Sequence, residues 1–506
     1  MRVHTSLGQY AGGLLALALA STSLYSYNWL QFNGSAQHSG ANHQERLITT
    51  ANVAGLRRLF QVTLPSIADG APAVLAGVST SSGTRDLVFL TTKDGHILAL
   101  DAHTGATVWS NQVGPGACHI NNGSTVCYTT SSPAVDPTLL YVYSYGLDGY
   151  VHRYAVGSGA EVTGGGWPEL TTSKAFDEKG SSALTIATTI SGVSYLYVAN
   201  GGYPGDNGDY QGHVTAINLA DGSQHVFNTL CSDQTVHFVE TPGAPDCAQR
   251  QSAVWARSGV VFDAETGKIY LATGNGDYAP TQHDWGDTVL ALNPDGTGVN
   301  GNPLDAYTPT NYQHLQDADL DLGSTTPAIL PTPANCNVRH LGVQGGKDSV
   351  LRLLNLDNLS GQGGPGHIGG EVSTLNVPQG GEVLTAPAVW VRARIGQTLV
   401  ATNPTTWVFV TTDLGISGLK LVCGTNGTPM LQSVWKSSTW GTSPVVINDI
   451  LFYATPTALR ALNPTTGATL WKDSGGIGGI HWESPVIANG IVYITDESSH
   501  LTAYSL

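Results

Sequence analysis

The chain has 506 residues, of which 41% are apolar, 11 are Trp, 62 are Gly and only 11% are charged. Lys and Arg number 21 against 37 Asp and Glu, a net charge of −16, which argues against a nucleic-acid partner because neutralising phosphates needs basic surface. High apolar and aromatic content at low charge excludes disorder, and abundant Gly with few Lys and Glu predicts many short strands joined by tight turns.

At the N-terminus Arg2 and His4 precede the apolar run Leu14–Ala20, which turns polar at Ser21. A short positive region, a short apolar core and Ala18-x-Ala20 predict a signal peptide over residues 1–20. The run falls well short of the ~20 residues that span a bilayer, so a secreted or periplasmic protein without a membrane span is expected. Residues 27–506 are then one domain, expected to be monomeric.

The next element, Leu56–Leu64, reads as a strand with no inner strand before it, and its Phe60 stands where later units place Trp. The string "LALDAHTGATVW" (98–109) returns as "RALNPTTGATLW" (460–471). Each is a strand, an Asx-capped turn with a left-handed Gly, and a return strand whose Trp can dock on the neighbouring unit. Weaker copies surround Gly222 and Gly361.

A second string, a small or polar pair before an apolar run, begins eight units. It occurs at Gly70, Ser131, Ser181, Arg257, Ser324, Thr385, Thr442 and Glu483. Units of ~40 to 60 residues with about four strand patterns each predict propeller blades. The last unit stops at Leu501–Leu506, its third strand, so Leu56–Leu64 would supply the missing outer strand and close the ring. The expected fold is an all-β, eight-bladed β-propeller of four-stranded blades.

Export makes the six cysteines a disulfide set. Proximity pairs Cys118 with Cys127 and Cys231 with Cys247, leaving Cys336 for Cys423. No CxxC pair offers a metal site, and without CxxCH no covalent haem c is expected.

These repeats resemble those of the pyrroloquinoline-quinone (PQQ) propeller family, whose signature has the form A-L-D-x-x-T-G-x-x-x-W; Asn463 replaces the Asp in the second copy. The family includes quinoprotein alcohol dehydrogenases and non-catalytic scaffolds of outer-membrane assembly. For the dehydrogenases the resemblance implies PQQ on the propeller axis beside a calcium ion held by residues of consecutive blades. "YLATGNGDY" puts Asn275 at the position of the metal-binding Asn, with Trp255 near the axis. "QDADLDLGSTTPAIL" offers Asp317, Asp319 and Asp321 for the Asp, with Asp319 the first choice as both metal ligand and general base. "GGKDS" places Lys347 at the quinone-contacting Lys. The family's metal-binding Glu is missing from "GGYPGDNGDYQGHVTAIN", so Asp206 or Asp209 would substitute. The adjacent-cysteine disulfide that clamps PQQ in many members is missing too.

The residues just ahead of each inner strand share one axial mouth: Asp69, Arg257, Glu382, Trp440, His481, Trp482 and Glu483. A quinone with three carboxylates needs cations and stacking aromatics, which Arg257, Lys347, Trp440 and Trp482 supply. Two functions compete. One is an exported PQQ- and calcium-dependent dehydrogenase of an alcohol or sugar. The other is a non-catalytic scaffold that binds a protein or cell-envelope partner through the insertions around Cys118, Cys231–Cys247 and Gly361–Gly370.

Overall fold

The computed structural model describes residues 26–114, 127–234, 247–392, 404–473 and 475–506, with the backbone of 394–395 and 398–399. The expected signal peptide and Cys118 lie outside the described residues. Eight sheets of four main strands follow one another along the chain, each in sequential antiparallel order. In blade one the order is Ala73–Thr80, Gly83–Thr91, His96–Asp101 and Thr107–Gln112. Each of the eight small-polar strings leads directly into an inner strand, from Ala73–Thr80 in blade one to Val486–Ala488 in blade eight. Blade eight is completed by Arg57–Thr63, which pairs antiparallel with His500–Ser505. Among the described residues no helix is long and apolar enough to cross a membrane.

The core is a ring of apolar seams between blades. In Leu87-Val88-Phe89-Leu90 every side chain is buried. Leu87 and Phe89 join the seam with blade two, while Val88 and Leu90 join the seam with blade eight. Side chains alternate across a strand, so a blade buried on both faces needs a continuous apolar run.

The Thr-Gly turns are docking points. Asp101 Oδ1 accepts from the Thr104 N–H at 3.0 Å, and Asn463 Oδ1 from the Thr465 N–H at 2.9 Å. The glycines that follow, Gly105 and Gly467, have φ of +72° and +73°. A Cβ on Gly467 would meet Trp435 of blade six at 2.6 Å, and one on Gly105 would meet Phe60 at 2.8 Å. Trp435 Nε1 also donates to Pro464 O at 2.8 Å, as Trp109 Nε1 does to Val156 O. The outer-strand aromatic of one blade therefore caps the turn of the next, with Phe60 serving where Trp serves elsewhere.

Two of the expected disulfides are present. Cys231–Cys247 closes an insertion after blade three, and Cys336–Cys423 joins blades five and six. Cys127 is also disulfide-bonded.

One feature has no periodic signature. Residues 27–42 wind across the axis at the mouth opposite the small-polar strings. They bond to blade one (Trp29 with Val74), blade two (Leu30 O with Val135), blade three (Gln31 with Ile186) and blade four (Ala36 O with Phe262). They continue to blades six, seven and eight (Ser39 O with Val389, Gly40 O with Val446, Asn42 with Ile487). The segment thus ties together the inner strands of seven blades, and the small-polar ends of those strands form the other mouth.

Candidate functional site

The mouth at the small-polar ends has an acidic half, built by blades three to five. Asn275 follows the strand Lys268–Ala272. Its N–H donates to Asp321 Oδ1 at 2.7 Å and its carbonyl accepts from the Ser252 N–H at 2.7 Å. A Cβ on Gly274 would lie 2.4 Å from Asp321 Oδ1, and one on Gly276 2.7 Å from Ser252 Cβ. Asn275 is not in a left-handed conformation, so its flanking glycines serve close approach rather than a turn. Its amide Nδ2 faces Asp206 Oδ2 at 3.4 Å, and the Tyr210 hydroxyl donates to Asp206 Oδ1 at 2.5 Å. The insertion closed by Cys231–Cys247 supports this edge: Gln211 Nε2 donates to Gln249 O, and the Gln251 N–H to Tyr210 O.

Lys347 joins the set. Its ammonium lies 2.5 Å from Asp321 Oδ2 and 3.5 Å from Asp319 Oδ1, over the Trp255 ring at 5.4 Å from its centre. Asp321 is buried, whereas Asp319, left-handed at the end of the short helix Tyr312–Ala318, has a 66% exposed side chain. Burial pushes the Asp321 carboxyl up against the opposing pull of Lys347. Burial likewise lowers the Lys347 ammonium, but the Asp321 carboxylate overrides it and the net direction is up. Asp287 lies beneath Asp321, accepting from the Leu322 N–H at 2.9 Å, and its Oδ2 is buried without a partner. Burial, with the Asp321 charge adding, pushes it up to about 8. Four carboxyl groups and one ammonium gather in this half, and among the described residues no three of these carboxyl groups lie within 4.8 Å of one another.

The other half is basic and comes from blades one to four and eight. Asp69 is buried and accepts from His481 Nδ1 at 2.8 Å and from the Trp482 N–H at 2.8 Å, with Lys93 Nζ at 3.1 Å. Lys93 also pairs with Glu497 at 3.3 Å. Glu483 is buried, and its carboxyl is pushed up by burial and by the neighbouring Asp69. Arg257 crosses the channel and donates to the carbonyls of Asp69, Thr130 and Ser181, one from each of blades one to three. Trp482 links the halves: it lies under Arg257 at 5.4 Å and meets Trp255 edge-to-face at 5.9 Å.

The fold thus brings Asp206, Asn275, Lys347 and Trp255 together around Asp321, with Asp319 on the rim. Asp209 turns instead to Lys174, at 3.1 Å. Asp317 accepts from Gln313 on the exposed side of the helix. Arg257 is spent on main-chain carbonyls, and Trp440 is 42% exposed. Glu382 feels the charges of Lys347 and Asp319. Sequence reasoning missed Asp287, Tyr210, Lys93 and Lys179. Lys179 had a partial signal, because it stands two residues ahead of the third small-polar string, one further than Asp69 stands from the first.

The repeats and the ring agree with what comparison finds. A family model described as "Glucose/ethanol/alcohol dehydrogenase, beta-propeller domain" matches residues 29–298, more than half of the chain. Among solved structures, a europium-containing methanol dehydrogenase aligns with TM-score 0.63 at 15% identity, covering 95% of this chain and 98% of that one. Quinohemoprotein alcohol dehydrogenases of Pseudomonas putida and Comamonas testosteroni align with TM-score 0.60, at 14% and 15% identity. They cover 95% and 94% of this chain and 80% of each of theirs. Comparison with curated protein sequences gives no match. With its propeller repeats matched over that length, the chain belongs to the PQQ β-propeller family of glucose, ethanol and alcohol dehydrogenases.

Proposed function

We propose that the chain is an exported PQQ- and calcium-dependent dehydrogenase of a small alcohol or sugar hydroxyl. The observation that carries this reading is the convergence of Asn275, Asp206, Asp321 and Lys347 beside Trp255. The donor set fits a hard cation: carboxylate and amide oxygens from three blades, in excess of the one ammonium that neutralises them. Asp206 Oδ2 and the Asn275 amide would hold it, with Asp319 closing the set. The Trp255 face and the cations of the mouth suit a planar, polyanionic quinone.

Bound there, PQQ with its metal would supply the hydride acceptor and the polarising Lewis acid. The residues of the chain do the rest. Asp319 Oδ2, the carboxylate oxygen not turned to Lys347, accepts the proton of the substrate hydroxyl. Lys347, 3.5 Å from the other carboxylate oxygen, orients that group. Trp255 and Trp482 form an apolar wall that displaces water from one side of the mouth. The test is dye reduction after incubation with PQQ and Ca²⁺, together with Trp quenching by PQQ. Loss of reduction in Asp319→Asn with quenching retained supports the reading, whereas absence of quenching in the wild type refutes it.

A further inference from the structure

We propose that Lys179 is the anion anchor of the axial mouth, receiving a carboxylate of the ligand seated there. This rests on the reading that the ligand is a carboxylate-bearing quinone. Lys179 lies on the strand Glu178–Gly180 of blade three. Strand alternation sends its neighbour Glu178 into the blade, where it accepts from the Gln211 N–H at 3.0 Å and from the Thr172 hydroxyl. Lys179 is therefore directed to the other side, where its ammonium sits 4.8 Å from the centre of the Tyr128 ring.

Its side chain is nine-tenths buried, the residue being 6% exposed. Among the described residues no carboxylate, carbonyl or hydroxyl accepts a hydrogen bond from it. Burying an ammonium without an acceptor is costly, and nothing in the fold is gained that a Met would not also give. The nearest acid, Asp69, is already engaged by Lys93, His481 and the Trp482 N–H. Arg257, the cation across the channel, likewise has a buried Nε without a partner. Two cations with unfilled donor positions facing one mouth describe a site whose anion comes from the ligand. A carboxylate on an aromatic ring fits best, because the rings of Tyr128, Trp482 and Trp255 stand beside the cations Lys179, Arg257 and Lys347, which suits an aromatic acid better than a free phosphate. Burial lowers the Lys179 ammonium to about 7, Arg257 and Lys93 reinforcing and Asp69 opposing. An arriving carboxylate would therefore restore its proton.

The test is a Trp-fluorescence titration of the whole protein and of Lys179→Met with PQQ, PQQ trimethyl ester, trimesate and inorganic phosphate. The expected result is PQQ binding weakened roughly tenfold or more in the variant, the loss of one charge-assisted hydrogen bond, with equal ester binding by both proteins. Equal PQQ binding by both overturns the anchor while leaving the quinone reading intact. Trimesate binding that depends on Lys179, without PQQ binding, upholds the anchor and removes the quinone. Lys179-dependent binding of phosphate alone, or of no anion, overturns the proposal. As a check that needs no variant, bound PQQ should protect Lys179 of the wild type from reductive methylation; an unchanged modification rate counts against the anchor.

Discussion

The two halves of the axial mouth are built from the same repeat positions and carry opposite chemistry. In the acidic half, carboxylates crowd around one ammonium, and the carboxyl of Asp287, pushed up to about 8 by burial, keeps one buried oxygen without a partner among the described residues. In the basic half, Asp69 is over-satisfied by Lys93, His481 and a main-chain N–H, while Lys179 meets the Tyr128 ring and, among the described residues, no hydrogen-bond acceptor, and the buried Nε of Arg257 has no partner. The first half has carboxyl groups in excess of its one ammonium, and the second has cations whose donors outnumber the acceptors they meet. A metal ion and an anionic ligand bound together would answer both deficits, which neither would answer alone.

The largest test of this contrast is chemical. Asp319→Asn should lower turnover with dye by about 10²- to 10⁴-fold, the usual worth of a general base, with PQQ affinity changed by less than threefold. A comparable loss of affinity would make Asp319 a binding residue and blur the division. Next comes the one cation of the acidic half. Lys347→Met should destabilise the apo-protein by ~3 kcal/mol in urea unfolding, because Asp321 would be left buried among like charges. Adding Asp321→Asn to that variant should restore most of the loss.

A smaller effect is expected from calcium itself. At one hundred times its dissociation constant, Ca²⁺ should add about 2.7 kcal/mol of stability, an increment that Asn275→Ala removes and Lys179→Met keeps. Loss of the increment in both variants would show the halves to be one site. The smallest effect is a pH trend in the basic half. The groups facing Lys179 are Tyr128, Asp69, Lys93 and Arg257. Its ammonium is lowered in the folded state to about 7, below its unfolded value of ~10.4. The penalty for burying the charge is therefore complete below pH 7 and fades as pH rises toward the unfolded value. Lys179→Met should accordingly exceed the wild type in apo stability most at pH 6, with the gap closing by pH 10.

The ring is legible in the sequence because each blade opens with the same small-polar string and two blades keep an almost identical Asx-Thr-Gly-Trp turn. Phe60 was readable for the same reason: its place in the repeat names its contact. Asn275 and Lys347 were singled out because the short strings around them resemble those of the family. The choice among Asp317, Asp319 and Asp321 was not, since all three alternate along one stretch. Only the short helix and its left-handed end at Asp319 decide that Asp321 is buried and Asp319 exposed. Asp206 and Asp209 separate for a similar reason, through Tyr210 on one side and Lys174 on the other. Lys179 is beyond sequence reasoning as an anchor, because having no partner is a property of the assembled blades. The axial segment at residues 27–42 escaped because its contacts follow the ring and not a helix or strand period.

That segment also sets an order of events during synthesis. Tyr27 bonds to Asn489, 462 positions away, and Arg57–Thr63 waits for His500–Ser505. An early stretch has its seats in a stretch translated more than 400 residues later, so the ring cannot mature progressively along the chain. Until His500–Ser505 emerges, Arg57–Thr63 and the unfinished eighth blade are bare edges able to recruit strands from other molecules. A polypeptide of this design profits from being held unfolded until both partners are available, and loss of His500–Ser505 would expose both edges together.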